Sequence, residues 1–180
     1  LEFRRVLFRS GLISKIIAGS YPSGPSSFDP PMIRQFIANE KIDAYNLPSG
    51  VIFQMHRAGS TFQPGVFSKV GLETFIDPRL QGGALNNKTS KNLISYRELE
   101  GEEYLYYPAI KPNVAIIRAT TADEFGNLTY EQEGSPLGAL DQAYAAHNNN
   151  GIVIAQVKRI VPAGTLDPKI VRVPGILVDY

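Results

Sequence analysis

The chain has 180 residues, 43% of them hydrophobic, enough for one α/β domain with a real core. Its 18 basic and 17 acidic residues leave a net charge of +1, with no basic block to suit nucleic acid and no acidic tail. With no cysteine and two histidines, it excludes a disulfide framework, thiolate-bound zinc, a thiol nucleophile and a histidine-rich metal site.

No apolar run approaches the roughly 20 residues of a membrane helix, and no signal-peptide core is visible. The expectation is a cytoplasmic protein. The first ten residues, LEFRRVLFRS, fit poorly with the rest of the chain. Leu7-Phe8-Arg9-Ser10 resembles a translated sequencing adaptor, so residues 1–10 are expected to be non-native and to make few core contacts. The domain itself would run over 11–180. Removing Arg4, Arg5, Arg9 and Glu2 from 18 basic and 17 acidic residues leaves 15 and 16, a net of −1.

In chain order, Lys15 to Gly19 reads as a short strand, followed by the Gly/Ser/Pro segment GSYPSGPS from Gly19 to Ser26. Asp29 and Pro30 suit the cap and first position of a helix whose apolar face is Met32, Ile33, Phe36 and Ile37. Ile42 to Asn46 is a second strand, and a helix from Val51 to Arg57 is expected to stop near Gly59. From Gly71 to Asn92 there is little periodicity, as in a functional loop. Leu93 to Leu99 and Glu103 to Tyr107, joined by Glu100-Gly101-Glu102, read as a hairpin.

Val114 to Ala119 and Gly151 to Val157 are near-continuous apolar runs, as in strands buried on both faces. Ile16, Ile17, Val114, Ile116, Val153 and Ile154 are therefore expected on neighbouring parallel strands of one sheet. Asp123, Gly126 and Asn127 form a structural turn. A helix from Leu137 to about His147 should pack a Leu137, Leu140 and Tyr144 stripe, with Ala139, Ala143, Ala145 and Ala146 allowing close approach. Asn148-Asn149-Asn150-Gly151 ends it. The whole is an α/β fold: an open, mostly parallel sheet flanked by helices, with an inserted hairpin.

Six segments, in order, carry a resemblance: YNLPSGV (Tyr45 to Val51), VGLETFIDPR (Val70 to Arg79), GEEYLYY (Gly101 to Tyr107), IRATTADEFGNLT (Ile117 to Thr129), GIVIAQVKRI (Gly151 to Ile160) and VPGILVD (Val173 to Asp179). Together they resemble the family I CoA-transferases, nearest the single-chain acetate and propionate branch. The resemblance implies the fold shared by CoA-transferases and sugar isomerases, here as a partial N-terminal domain, incomplete at both ends. It implies transfer of CoA between an acyl-CoA and a short-chain carboxylic acid through a covalent glutamyl-CoA intermediate. CoA would be a substrate, with no cofactor and no metal. The nucleophilic glutamate would lie in a related half outside this chain, since Glu98, Glu100, Glu102, Glu103, Glu131 and Glu133 do not match its context. The expected partners are acyl-CoA, carboxylic acids, the missing half and further copies of the enzyme, without nucleic acid or membrane. The 180 residues alone should be inactive.

Pro48-Ser49-Gly50 is the leading site candidate, because it ends a strand and opens a helix whose free N–H groups favour negative charge. In relatives the motif resembles Pro-Gln-Gly, with the amide holding the thioester oxygen. Ser49 either donates in its place or caps the helix, and the two roles are compatible. Gly71, Glu73 and Thr74 form the second candidate, beyond a strand end where ligands bind in open α/β sheets. Relatives often carry a small residue where Glu73 stands. His56 and His147 are given no catalytic role, and Tyr104, Tyr106 and Tyr107 are read as strand packing. Two readings compete: a sugar-phosphate isomerase or deaminase, for which Ser23, Gly24, Ser26 and Ser27 offer a weak phosphate loop, and a non-catalytic ligand-binding module.

Overall fold

A computed structural model describes residues 11–21 and 32–180. The expectations for residues 1–10, for the Asp29-Pro30 helix start and for the GSYPSGPS loop beyond Tyr21 lie outside these residues. The chain forms two compact units, crossing between them within the second helix, within the third strand and after Pro108.

The first unit is built on strands β1 (Lys15–Ala18) and β2 (Asp43–Asn46), which pair in parallel from Lys15↔Asp43 to Ala18↔Asn46. Between them lies helix α1 (Met32–Ala38). Its Ile33, Phe36 and Ile37 pack with Ile13, Ile16, Ile42 and Ala44, as the periodicity predicts. Helix α2 (Ser49–Ser60) starts two residues beyond β2 and continues into the second unit. Strands β3 (Gly65–Ser68), β4 (Ser95–Leu99) and β5 (Glu102–Pro108) form a sheet of order β3-β5-β4. The β4–β5 hairpin pairs Leu99 with Glu102, so its turn is Glu100-Gly101 alone, both residues at positive φ (54° and 79°). That backbone matches the twist of the flanking strands.

The stretch between β3 and β4 has no strand or helix of its own, yet side chains bind it along β2. Asn86 donates to Ile37 O (2.9 Å) and Ile42 O (3.0 Å), and Ala44 N donates to Thr89 Oγ1 (2.8 Å). Tyr45 donates its hydroxyl to Ser90 O at 2.7 Å. The aperiodic sequence is a rigid strap.

The second unit holds strands β6 (Val114–Arg118), β7 (Thr121–Asp123) and β8 (Leu128–Thr129), helix α3 (Ala139–Asn148), and strands β9 (Ile152–Gln156) and β10 (Arg159–Val161). β6 and β9 pair in parallel, and β10, β7 and β8 form a separate sheet. The expected single sheet is thus corrected: Ile16 and Ile17 belong to one parallel pair, and Val114, Ile116, Val153 and Ile154 to another. Burial on both faces is corrected too. Ala115, Ile117 and Val153 are buried under α3, while Val114 and Ile116 are 49% and 57% exposed on the other face.

Helix α3 begins later than predicted. Leu137 and Gly138 take left-handed backbone (φ 44° and 73°), and a Cβ on Gly138 would fall 2.3 Å from the Phe53 ring. The predicted Leu137, Leu140, Tyr144 stripe faces out, and the buried side is Ala139, Ala143, Ala145 and Ala146. Small side chains let the helix backbone sit close to the sheet, so the larger residues are left outside. Asn150, at φ 57°, ends it in left-handed backbone as the Asn-Gly run predicts. Asn149 and Asn148 then donate to Gly59 O (3.0 Å) and Ser60 O (2.8 Å) at the end of α2. Among the described residues no helix is long and apolar enough to cross a membrane.

Candidate functional site

The site grows from the C-terminal ends of β1 and β2, where a parallel pair leaves its last carbonyl and amide groups facing outward. Leu47 N donates to Ala18 O at 3.0 Å, extending the pairing one step beyond the strands. With its amide oriented to donate, Asn46 Nδ2 reaches Gly19 O at 2.9 Å and Ala18 O at 3.2 Å. Tyr21, just beyond, donates its hydroxyl to Tyr45 O at 2.8 Å, and burial pushes that phenol up to about 12.

Pro48 turns the chain into α2. Its carbonyl accepts from Val51 N (2.9 Å) and Ile52 N (3.0 Å), which places Pro48 at the cap position and Ser49 in the first turn. The expectation that Ser49 caps the helix is thereby corrected. A proline in this place loses nothing by lacking an N–H, because the cap contributes only its carbonyl. The Ser49 hydroxyl has no hydrogen-bond partner among the described residues, and Ser49 and Gly50 are both exposed. A Cβ built on Gly19 would lie 1.9 Å from Ser49 Oγ, so the end of β1 and the start of α2 meet at these two residues.

Helix α2 also outruns its predicted stop. Gly59 is a close-contact position, where a Cβ would lie 2.0 Å from Ile110 O, and the helix continues to Ser60.

The second candidate is joined to the first through Gly83. Asn46 N donates to Gly83 O (2.9 Å), and Gly83 N donates to Phe75 O (3.0 Å). The loop around Phe75 is organised by Asp77, a residue to which the sequence pattern assigns no role. Buried Asp77 accepts from Glu73 N (3.1 Å), Arg79 N (3.0 Å) and the Arg79 guanidinium (2.7 Å from Nη2). The Arg79 hydrogen bonds hold its carboxyl down to about 2, against the opposing effect of burial. Arg79 also pairs with Glu103 at 3.2 Å and lies over the Tyr96 ring at 4.5 Å.

Of the three named residues in this loop, two make contacts that shape its backbone. Gly71, at φ 99°, leaves room for Tyr107, whose hydroxyl would lie 2.7 Å from a Cβ there and donates to Val70 O. Thr74 donates Oγ1 to Gly71 O at 2.8 Å and accepts from Ile76 N at 3.2 Å. Glu73 and Thr74 are both exposed; Thr74 spends its hydroxyl on the loop, while Glu73 extends from left-handed backbone at φ 59°. A small residue is comfortable at such a position, which accounts physically for the small residue that the resemblance leads one to expect.

The remaining glutamates named from the sequence lie elsewhere. Glu131 spends both oxygens on Thr121, Thr129 (2.7 Å) and Arg159 (2.6 Å), and the threonine hydroxyls hold it down to about 2. Glu133 pairs with Arg118 (3.2 Å) and Glu102 with Lys69 (2.8 Å). The turn at Asp123 is structural as predicted: its carboxylate accepts from Phe125 N, Asn127 N and Asn127 Nδ2, and Gly126 takes φ 82°. Tyr107 and Tyr106 are strand packing as expected, Tyr107 buried and Tyr106 against Phe67 of β3 with ring centroids 5.1 Å apart.

A family model described as Coenzyme A transferase matches residues 5–180. The acetate CoA-transferase YdiF of Escherichia coli strain K12 is 46% identical over 173 residues, covering 96% of this chain and 32% of the relative. The caffeate CoA-transferase of Acetobacterium woodii is 47% identical over 148 residues, covering 82% of this chain and 28% of the relative. The crystal structure of the acyl-CoA transferase YdiF from Escherichia coli O157:H7, a thioester complex with CoA, superposes with a TM-score of 0.78 at 51% identity. That match covers 83% of this chain and 29% of the solved one. The chain therefore spans about a third of the length of these relatives.

Proposed function

We propose, from the premise that this chain belongs to the coenzyme A transferase family, that it forms part of an enzyme moving CoA between an acyl-CoA and a free short-chain carboxylic acid. The observation that carries the reading is the meeting of Gly19 and Ser49 at the ends of two parallel strands. An unpartnered hydroxyl there lies beside the first-turn amides of a helix. Ser49 Oγ and the N–H of Gly50 are donors of the kind a developing oxyanion requires.

The chemistry is a double exchange. A glutamate oxygen attacks the thioester carbonyl carbon, the C–S bond breaks, and CoA leaves as thiolate from a mixed anhydride. The thiolate then attacks the glutamyl carbonyl, releasing the first acid as carboxylate with one former glutamate oxygen. A second acid runs the sequence in reverse. Splitting one exchange into such steps lowers each barrier. Following the family resemblance, the nucleophilic glutamate is assigned to a part of the enzyme outside these 180 residues. We further propose that residues 1–10 are non-native, that residues 11–180 are a partial N-terminal domain, and that the enzyme acts as a homo-oligomer in the cytoplasm. The roles of Ser49, Gly50 and Glu73 belong to this reading, with Gly71 and Thr74 shaping the loop.

The test uses the complete reading frame with acetyl-CoA and propionate. Transfer should proceed through an enzyme thioester that hydroxylamine or borohydride traps, and the 180-residue chain alone should give background only. Transfer by the short chain, abolished by mutating one of its own glutamates, would show that the nucleophile lies within these residues and overturn its assignment elsewhere.

A further inference from the structure

Glu73 carries an exposed carboxylate on a held backbone, with no ion-pair partner among the described residues. Its backbone is held on both sides: Glu73 N donates to Asp77 Oδ2 (3.1 Å), and Thr74 bonds Gly71 O through both its amide (3.2 Å) and its hydroxyl (2.8 Å). The same loop is tied through Gly83 to Asn46, three residues before Ser49. Three cations of the same unit have other partners. Arg79 bonds Asp77 and Glu103, Lys69 pairs with Glu102, and Lys91 donates to Leu80 O. Among the described residues Glu73 has no ion-pair partner. Its left-handed φ of 59° is disfavoured for any residue but glycine, so the backbone gives no reason for a glutamate here. Glu40 and Glu100 share such backbone, so what sets Glu73 apart is its place on a loop tied to Asn46, close in the chain to Ser49.

We infer that Glu73 is an electrostatic filter at the acyl end of the site, disfavouring acids that carry a second carboxylate; this rests on the transferase reading above. Every acid substrate brings one carboxylate to the reacting centre. In a dicarboxylic acid the second charge would approach Glu73, and like charges with no cation between them repel. An acid with an uncharged tail meets no such barrier. Discrimination of this kind works by penalising the wrong substrate and needs no extra contact to the right one.

The experiment measures kcat/KM of the complete enzyme for propionate and for succinate, with acetyl-CoA as donor, in wild type, Glu73→Gln and Glu73→Gly. Thermal melts confirm that each variant is folded. The expected result is a succinate-to-propionate ratio that rises about 10-fold or more in both variants. In wild type the ratio itself should rise with added salt, as screening weakens the repulsion. An unchanged ratio in folded variants that still use propionate overturns the filter and leaves the transferase reading intact. A wild-type enzyme that prefers succinate overturns the filter as well. If wild type uses neither acid with acetyl-CoA, the transferase reading falls and takes the filter with it.

Discussion

Gly19 and Ser49 occupy adjoining space: the position of a Gly19 Cβ lies 1.9 Å from Ser49 Oγ. A Cβ at residue 19 would force the Ser49 hydroxyl into another rotamer and would still lie 3.1 Å from Ser49 Cβ. Gly19→Ala should destabilise the chain by about 1–3 kcal/mol, the usual range for overpacking. Ser49→Gly on top of it should recover much of that loss. Urea denaturation of the two single variants and the double variant measures the coupling, and additive costs would show that the two residues do not share the space.

Ser49→Ala separates capping from chemistry. Because Pro48 is the cap, losing the hydroxyl should change stability by no more than about 0.5 kcal/mol. In the complete enzyme the transfer rate should fall, by up to roughly 100-fold if the hydroxyl donates to the oxyanion. A variant that loses about 1 kcal/mol of stability and keeps its rate would return Ser49 to a capping role.

Asp77 should dominate the loop. Asp77→Asn leaves Arg79 with a neutral partner and weakens the hold on Glu73 N, and should lower the melting temperature at neutral pH, by less than a fully buried pair would because Arg79 is partly exposed. Acid tests the same bond. The folded-state value of Asp77 is depressed to about 2, so its contribution is complete above the ordinary carboxylate range and is lost as pH falls toward 2. Glu131, also near 2, contributes in the same direction. The melting temperature should therefore drop below about pH 4, less steeply in Asp77→Asn and in Glu131→Gln than in wild type. An identical slope in all three would remove both carboxylates from the account.

The hairpin turn offers a gain. Glu100 and Gly101 are both left-handed, and asparagine tolerates that backbone better than glutamate does. Glu100→Asn should stabilise by about 0.5 kcal/mol and Gly101→Ala should destabilise by about 1 kcal/mol, read from thermal melts at neutral pH.

The strands were legible to within a residue where one apolar run mapped onto one strand, as at Lys15, Val114 and Ile152. Their covering was not, because Val114 and Ala115 look alike to a hydropathy pattern while only one of them faces α3. Gly59 reads as a helix stop and Gly138 falls inside the predicted helix, but the first lies within a helix against a carbonyl and the second precedes its helix and makes room for Phe53. β7, β8 and β10 passed unnoticed because they are two or three residues long, and the threonines Thr121 and Thr129 are satisfied by Glu131, a contact no local pattern encodes. At the candidate site the leading residues were visible as a strand-to-helix turn. The Asp77–Arg79 pair that holds the neighbouring loop was not, since burial turns an ordinary Asp-Pro-Arg sequence into an anchor.

The two asparagine amides that run from the end of α3 to Gly59 O and Ser60 O have a dynamic consequence. Helix ends normally fray because their last carbonyls have only water to lose. Here, opening the final turn of α2 requires Asn148 and Asn149 to let go. The two helix termini therefore share one local unfolding event, and their slowest-exchanging amides should report a common opening free energy.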